Sequence, residues 1–190
     1  MTLVNLSEEG DAELIRRSRD DPEQFATLFD RYAQQIHLYV ARRLGSQAAD
    51  DIVAETFLAA FRRRASYDPA VPMARPWLYG IATKLIAKHR RSEERYLRAL
   101  SRTGVDPLPE PIADTVTARV AAQSEERRLA GALAALSQGD RDVLLLVAWE
   151  DMSLEEAAQT LGVPAGTARS RLHRARKKIK AAIPMMEGNR

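Results

Sequence analysis

Apolar residues recur at helical spacing along most of the chain, and the runs break at glycine, proline and capping residues. Asp11 to Arg19 reads as a short helix with Asp11 as its cap. Asp21-Pro22-Glu23-Gln24 then supplies an N-cap, a first-turn proline and a capping-box glutamine. The helix that follows turns Phe25, Leu28, Phe29, Tyr32, Ile36, Val40 and Leu44 inward and stops at Gly45. Ser46 is expected to cap the next helix, which buries Ile52, Val53, Phe57, Ala60 and Phe61. The other side of that helix shows Asp50, Asp51 and Glu55, then Arg62, Arg63 and Arg64. Patterning lapses from Ser66 to about Arg75, where Pro69 and Pro72 enforce a loop. Pro76 opens a further helix with Trp77, Leu78, Ile81, Ala82, Leu85 and Ile86 buried. It is expected to end in KHRRSEERYLR and to present Lys84, Lys88, Arg90 and Arg91 outward.

From Ser101 to Thr117 the pattern gives way to a proline-rich, mildly acidic stretch containing Pro107, Pro109 and Pro111, which reads as an extended linker. Helical spacing returns with Val116, Val120, Leu129, Leu133 and Leu136, and Ser137 begins another helix. The run Val143 to Val147 could be a strand by composition, but its helical neighbours and short connections favour a buried helix. Ser153 with Glu156 forms a capping box, and Leu154, Ala157, Ala158 and Leu161 give the helix behind it one apolar face. Gly162 is a natural stop and Pro164 a natural start. In the last helix Ala168, Leu172, Ala175 and Ile179 form a single buried stripe. Thr167, Arg169, Ser170, Arg171, His173, Arg174, Arg176 and Lys177 point outward, and no acid interrupts Ala165 to Lys180. A capped helix followed by one that is packed on one side and cationic on the other is the build of a helix-turn-helix. A solvated basic tail would not need the capping box, the Gly-x-Pro turn or the matched stripes.

The expected fold is therefore all-α, with two small helical domains joined by a flexible linker. Residues 1–98 form an N-terminal helical bundle, 99–122 the linker, and 123–190 a four-helix unit containing the helix-turn-helix.

Composition narrows the chemistry. The 190 residues are 45% hydrophobic and 29% charged, enough for a core beneath a well-solvated surface. Net charge is only +3 while the pI is about 9.4, so the basic character is local, as in a nucleic-acid footprint. With no cysteine and three scattered histidines, His37, His89 and His173, neither a disulfide framework nor a metal site nor any cofactor is expected. No apolar run approaches a membrane span, and MTLVNLSEEGD lacks the basic and apolar halves of a secretion signal. A cytoplasmic protein with no membrane contact of its own is the expectation, and no appended domain is expected after Ile183-Pro184.

These motifs resemble those of the extracytoplasmic-function (ECF) sigma factors of bacterial RNA polymerase. The resemblance runs from about Phe25 to Arg91 and from about Leu133 to Ile179. Its marks in the first half are Asp51-Ile52-Val53-Ala54-Glu55-Thr56-Phe57 and Trp77-Leu78 followed by Ile81-Ala82. In the second half they are Leu136, the Val143–Leu146 helix and the segment from Gly162-Val163-Pro164 to Arg174-Ala175-Arg176.

The resemblance implies that the first domain is sigma domain two and the last sigma domain four. It implies core polymerase as partner, through the clamp helices of the largest subunit and the flap of the second, together with promoter DNA and an anti-sigma protein. Asp51, Glu55, Thr56 and Phe57 match the clamp-docking segment; Asp51 and Glu55 lie one turn apart, ready for arginines on a partner. Ala54 stands where the family usually has glutamine.

The loop from Tyr67 to Arg75 and the start of the Trp77 helix match the segment that captures an unstacked base of the minus-10 element. Bases stacked on aromatic rings gain about 1–3 kcal/mol each. By spacing, Trp77 reads first as a core residue and second as such a platform. Lys84 and Lys88 replace the family's common asparagine and aspartate, which favours phosphate contact alongside Arg90 and Arg91. In the recognition helix Thr167, Arg169, Ser170, His173 and Arg174 match positions that face the major groove, while Arg171, Arg176 and Lys177 fit phosphates.

Two other readings compete. A helix-turn-helix repressor or activator working apart from polymerase would explain the C-terminal half, but not the acidic ridge or the second basic helix beside a proline loop. An enzyme using Asp51 and Glu55 as paired carboxylates lacks a nearby histidine, glycine-rich loop or metal-ligand set. The expected protein is not an enzyme but an initiation factor that reads minus-35 and minus-10 elements and melts DNA.

Overall fold

The computed structural model describes residues 10–103 and 126–182. Among these residues every regular element is helical, and none of the helices is long and apolar enough to cross a membrane. The prolines of the expected linker, with Val116 and Val120, lie outside the described residues.

The N-terminal bundle contains α1 (Asp11–Arg17), α2 (Ala26–Leu44), α3 (Ser46–Arg63), α4 (Arg75–Lys88) and α5 (Arg90–Thr103). α2 and α3 form the central hairpin, turned by Gly45 at φ 87°, a conformation that an L side chain strains to adopt. α4 lies across both, and Leu28, Ile36, Val40, Leu78 and Ile86 are fully buried between them.

Local capping differs from the sequence reading at three points. Gly10, not Asp11, is the N-cap of α1, and Asp11 is buried. Its carboxylate accepts hydrogen bonds from Arg31 (2.8 Å), the Tyr32 hydroxyl (2.5 Å) and the Ala74 amide (2.8 Å), tying α1 to α2 and to the start of α4. Asp21 caps a short 3-10 turn, Pro22–Phe25, ahead of α2, and Gln24 donates to the Asp21 side chain instead of closing a capping box. Ser46 is the first residue of α3 and makes no capping bond; Gly45 holds that position.

The helix opened by Pro76 also ends sooner than expected. It stops at Lys88, His89 turns the chain at φ −97°, and α5 is a separate helix that buries Glu93 and Leu97. The helix continues through Thr103, five residues into the stretch expected to be linker.

The C-terminal unit comprises a helix over residues 126–134, here α6, followed by α7 (Gln138–Ala148), α8 (Leu154–Leu161) and α9 (Ala165–Ala182). The Val143–Val147 run is helical, as its neighbours suggested, and the Ser137 hydroxyl accepts from the Asp140 amide to cap it. The Ser153–Glu156 capping box is complete in both directions, at 3.1 and 2.7 Å. Gly162 ends α8 in the left-handed region at φ 63°, and Val143, Ala158, Ala168 and Leu172 pack beneath the turn.

The two units touch. α4 packs on α8, and one apolar cluster runs from the N-terminal bundle into Leu133, Leu145, Leu146, Met152 and Ala157. Charged side chains are buried beside it. Arg43 of α2 donates to Glu93 of α5 and to Asp142 of α7, each at 2.6 Å, and Arg141 donates to Glu93 at 2.7 Å. The remaining Arg141 donors reach the carbonyls of Leu133, Ala134 and Leu136. Two positive and two negative groups thus close a neutral cluster, which is how buried charges become tolerable.

Candidate nucleic-acid and polymerase interfaces

α9 is the simplest surface. Its Ala168–Leu172–Ala175 stripe is buried and Ile179 is half-buried, which leaves the opposite face to solvent. Arg169, Ser170, His173, Arg176 and Lys177 are exposed; Thr167 and Arg171 are half-buried. Ser170 donates back to the Gly166 carbonyl at 2.9 Å. Arg171 lies against α7, so close over Gly139 that a Cβ there would meet its guanidinium carbon at 2.9 Å.

Arg174 reaches Asp140 of α7 at 2.8 Å, and its side chain is still 55% exposed. Burial pushes the Asp140 carboxyl up, but the Arg174 and Ser137 hydrogen bonds and the Arg174 charge outweigh it and hold the group below its ordinary value of 3.8. Asp140 therefore aims Arg174 without hiding it.

The second surface is concave. Tyr67, Trp77 and Lys84 line a recess of about 320 Å³ between the 67–74 loop and α4, and Gln159, Thr160 and Gly162 of α8 line its far side. Tyr67 meets the Trp77 ring edge-on at 4.9 Å. Its hydroxyl donates to the Val71 carbonyl at 2.7 Å, and burial pushes the phenol up to about 12. Tyr67 is thus a buried support, and the half-buried Trp77 is the ring that faces the space.

Lys84, Lys88 and Arg91 are exposed, and Lys88 lies 3.5 Å from Glu55. Arg90 begins α5, and its side chain lies outside the described set. Arg75 does not line the recess. It stacks over Tyr79 and donates to the Glu150 backbone carbonyl, with its guanidinium 3.7 Å from the Glu150 carboxylate. Asp151, at φ 48°, turns the chain directly after Glu150, and Tyr79 donates to that carboxylate as well. Burial and the neighbouring Glu150 charge together raise the Tyr79 phenol above its ordinary range.

The third surface is the exposed side of α3. Asp51 and Glu55 are open to solvent, whereas Thr56 and Phe57 are buried. The Thr56 hydroxyl donates to the Ile52 carbonyl at 2.7 Å, and Phe57 supports Phe29 with ring centroids 4.9 Å apart. Phe29, read from spacing as a core residue, is 46% exposed, and Leu58, one turn beyond Glu55, is 48% exposed. The surface that α3 offers is therefore acidic and apolar together, and Thr56 and Phe57 act from beneath it. Exposed phenylalanine and leucine at helical spacing beside a carboxylate pair carry a weak sequence signal, because periodicity alone assigns such residues to a core.

Among the described residues no group of histidine, aspartate and glutamate side chains could hold a metal ion.

Comparison with known proteins accounts for both halves. Residues 28–96 match the profile of Sigma-70 region 2, and residues 126–179 match that of Sigma-70, region 4. The ECF RNA polymerase sigma factor SigL of Mycobacterium tuberculosis is 31% identical over 157 residues, covering 82% of this chain and 86% of the relative. The chain belongs to the ECF RNA polymerase sigma factors.

This sigma factor is similar also to the RNA polymerase sigma factor CarQ of Myxococcus xanthus, 29% identical over 91% of this chain and 97% of the relative. Among solved structures it resembles CnrH in complex with the cytosolic domain of CnrY, at 27% identity and a TM-score of 0.62, covering 90% of this chain and 95% of that one. Sigma factors are transcription initiation factors that work with RNA polymerase core on promoter DNA; Tyr67, Trp77 and Lys84 of the recess fall in the region 2 match, and the cationic face of α9 falls in the region 4 match, as does the α8 wall of the recess.

Proposed function

We propose that this sigma factor reads a bipartite promoter, with the Thr167–Lys177 face of α9 on the minus-35 element and the Trp77 recess on an unstacked minus-10 base. The observation that carries the reading is the pair of unlike surfaces on one chain, one convex and cationic, the other concave and aromatic. Duplex is read by a helix entering the major groove, whereas an extruded base needs a slot with a ring to stack on. On α9, Arg169 and Arg174 are placed to read bases, and Arg171, Arg176 and Lys177 to hold phosphates. Lys84, Lys88, Arg90 and Arg91 follow the strand leaving the recess. Asp51 and Glu55, with Phe29 and Leu58, dock on the polymerase clamp helices, and the C-terminal unit on the flap of the second subunit. Residues 1–98 act as sigma domain two and 123–190 as sigma domain four, with 99–122 between them.

The protein works in the cytoplasm and catalyses no reaction of its own. An anti-sigma protein holds it inactive, as membership of the family implies. The test is transcription in vitro with sigma-free core polymerase on a library of promoter templates. Promoter-dependent transcripts are expected only when this chain is added, and their absence from every template would overturn the reading.

A further inference from the structure

The 67–74 loop is bonded within itself. Tyr67 donates to the Val71 carbonyl at 2.7 Å, and the Asp68 carboxylate accepts from the Ala70 amide at 2.9 Å. Its two ends are held from outside, and both are held by α1. At its start, in the Arg64–Ser66 turn, the half-buried Arg64 stacks over Phe61. Its Nε donates to the carbonyl of Ser18, the buried C-cap of α1, at 3.1 Å. At the far end the amide of the fully buried Ala74 donates to Asp11, the first residue of α1, at 2.8 Å. Leu14 and Ile15, both fully buried, fasten α1 to the bundle between those two points.

Ala74 is the N-cap of α4, and its buried amide needs an acceptor. In a capping box a glutamate or glutamine at the third helical position reaches back to supply one. That position here is Trp77, whose indole is a donor only. The acceptor comes instead from an aspartate 63 residues upstream. Asp11 is itself aimed: its Oδ2 takes the Tyr32 hydroxyl together with the Ala74 amide, while Arg31 holds Oδ1. The helical turn that carries the Trp77 ring is therefore seated on α1, which lies before the residues 28–96 that match Sigma-70 region 2.

We propose, on the minus-10 reading of the recess, that α1 positions the base-capturing ring: Asp11, through the Ala74 amide, sets where Trp77 stands, and so governs base preference at the minus-10 element. Asp11 is a positioning residue; it is buried and touches no DNA. Ring stacking depends on offset and tilt, so a ring on a loosely seated first turn discriminates poorly between bases.

The test is transcription in vitro by core polymerase with the full chain, on templates randomised across the minus-35 and minus-10 regions and read through a barcode in each transcript. Asp11→Ala removes the acceptor. Asp11→Asn keeps a carbonyl oxygen for Tyr32 and Ala74 and gives up only the charge facing Arg31. Circular dichroism verifies helix content, and saturating sigma factor removes differences in affinity for polymerase. Asp11→Ala is expected to lower preference about fivefold at the minus-10 position that Trp77→Ala also loses, the low end of what one stacked base contributes. Minus-35 preference is expected to stay, and Asp11→Asn to retain most of the minus-10 preference. A folded Asp11→Ala with unchanged preference would overturn the proposal. So would a loss spread evenly over both elements, which marks a merely structural role, or a loss that Asp11→Asn shares in full. Should Asp11→Ala fail to fold, Arg64→Ala decides: it frees the other end of the loop, a fall at the same minus-10 position is expected, and an unchanged preference overturns the proposal equally. Failure of the minus-10 reading is separate: it appears as a parent preference at that element that survives Trp77→Ala.

Discussion

The helix α9 and the Trp77 recess are proposed to serve one task, yet they are built on opposite plans. α9 is local: eighteen consecutive residues carry both its buried stripe and its cationic face, and the helix packs chiefly on α7 and α8. The recess is assembled from a loop, a helix and a neighbouring unit, and its aromatic ring is half-covered. A surface that reads intact duplex can be presented permanently. One that accepts a base out of the stack is a hole, and apolar holes attract whatever is nearby. The difference teaches that the two contacts should respond to different perturbations.

The largest effect is expected from Leu172→Ala, which empties the buried stripe of α9 and should cost about 2–5 kcal/mol. Trp149 lies in the C-terminal unit, with Arg42 of α2 stacked over it, and Trp77 in the bundle; these are the chain's two tryptophans, so single-tryptophan versions place one reporter in each unit for unfolding in urea. The Trp149 transition should move to lower urea further than the Trp77 transition; equal shifts would mean that the two units unfold as one.

Next come the DNA contacts themselves. Trp77→Ala should remove about 1–3 kcal/mol of single-strand binding by the holoenzyme and leave duplex minus-35 binding intact. Arg174→Ala should do the reverse, costing about 1–3 kcal/mol and relaxing preference at one minus-35 position. A uniform loss across all sequences would reassign Arg174 to a phosphate. Ser153→Ala should cost about 1 kcal/mol through loss of the capping box, seen as a modest fall in the urea midpoint of the C-terminal unit.

The smallest expected effect is one of pH. Asp140 is held below its ordinary value, so its ionised form stabilises the fold above pH 3.8 and that contribution disappears as pH falls through the lowered value. The stability gap between the parent and Asp140→Asn, measured by urea midpoints, should therefore be present at pH 7 and close on acidification below 3.8. A gap that persists at pH 2 would place the effect of Asp140 in packing and not in its charge.

What the sequence made legible follows the same division. The capping box at Ser153, the left-handed stop at Gly162 and the α9 stripe are all settled within a few residues, and each is where the pattern puts it. Asp11 was misread because a leading aspartate looks like a cap, and nothing nearby announces that Arg31, Tyr32 and Ala74 will converge on it. Nothing in the local pattern marks Arg43, Glu93, Arg141 and Asp142 as buried. Their partners lie as far as 99 residues away, and helical periodicity carries no information at that range. The end of α4 at His89 was hidden for another reason: KHRRSEERYLR contains neither glycine nor proline, and every residue in it tolerates a helix. On α3 the motif was legible but its exposure was not, since Thr56 and Phe57 are buried and Phe57 supports Phe29 from below.

Ionic strength acts unequally on this molecule. The Arg43–Glu93–Arg141–Asp142 cluster is neutral as a whole and shielded from solvent, so dissolved ions screen it little. A cationic helix on duplex DNA, by contrast, releases condensed counterions and loses affinity steeply as salt rises. Concentrated electrolyte therefore works against the promoter contact and leaves the buried ion pairs between the two units almost untouched.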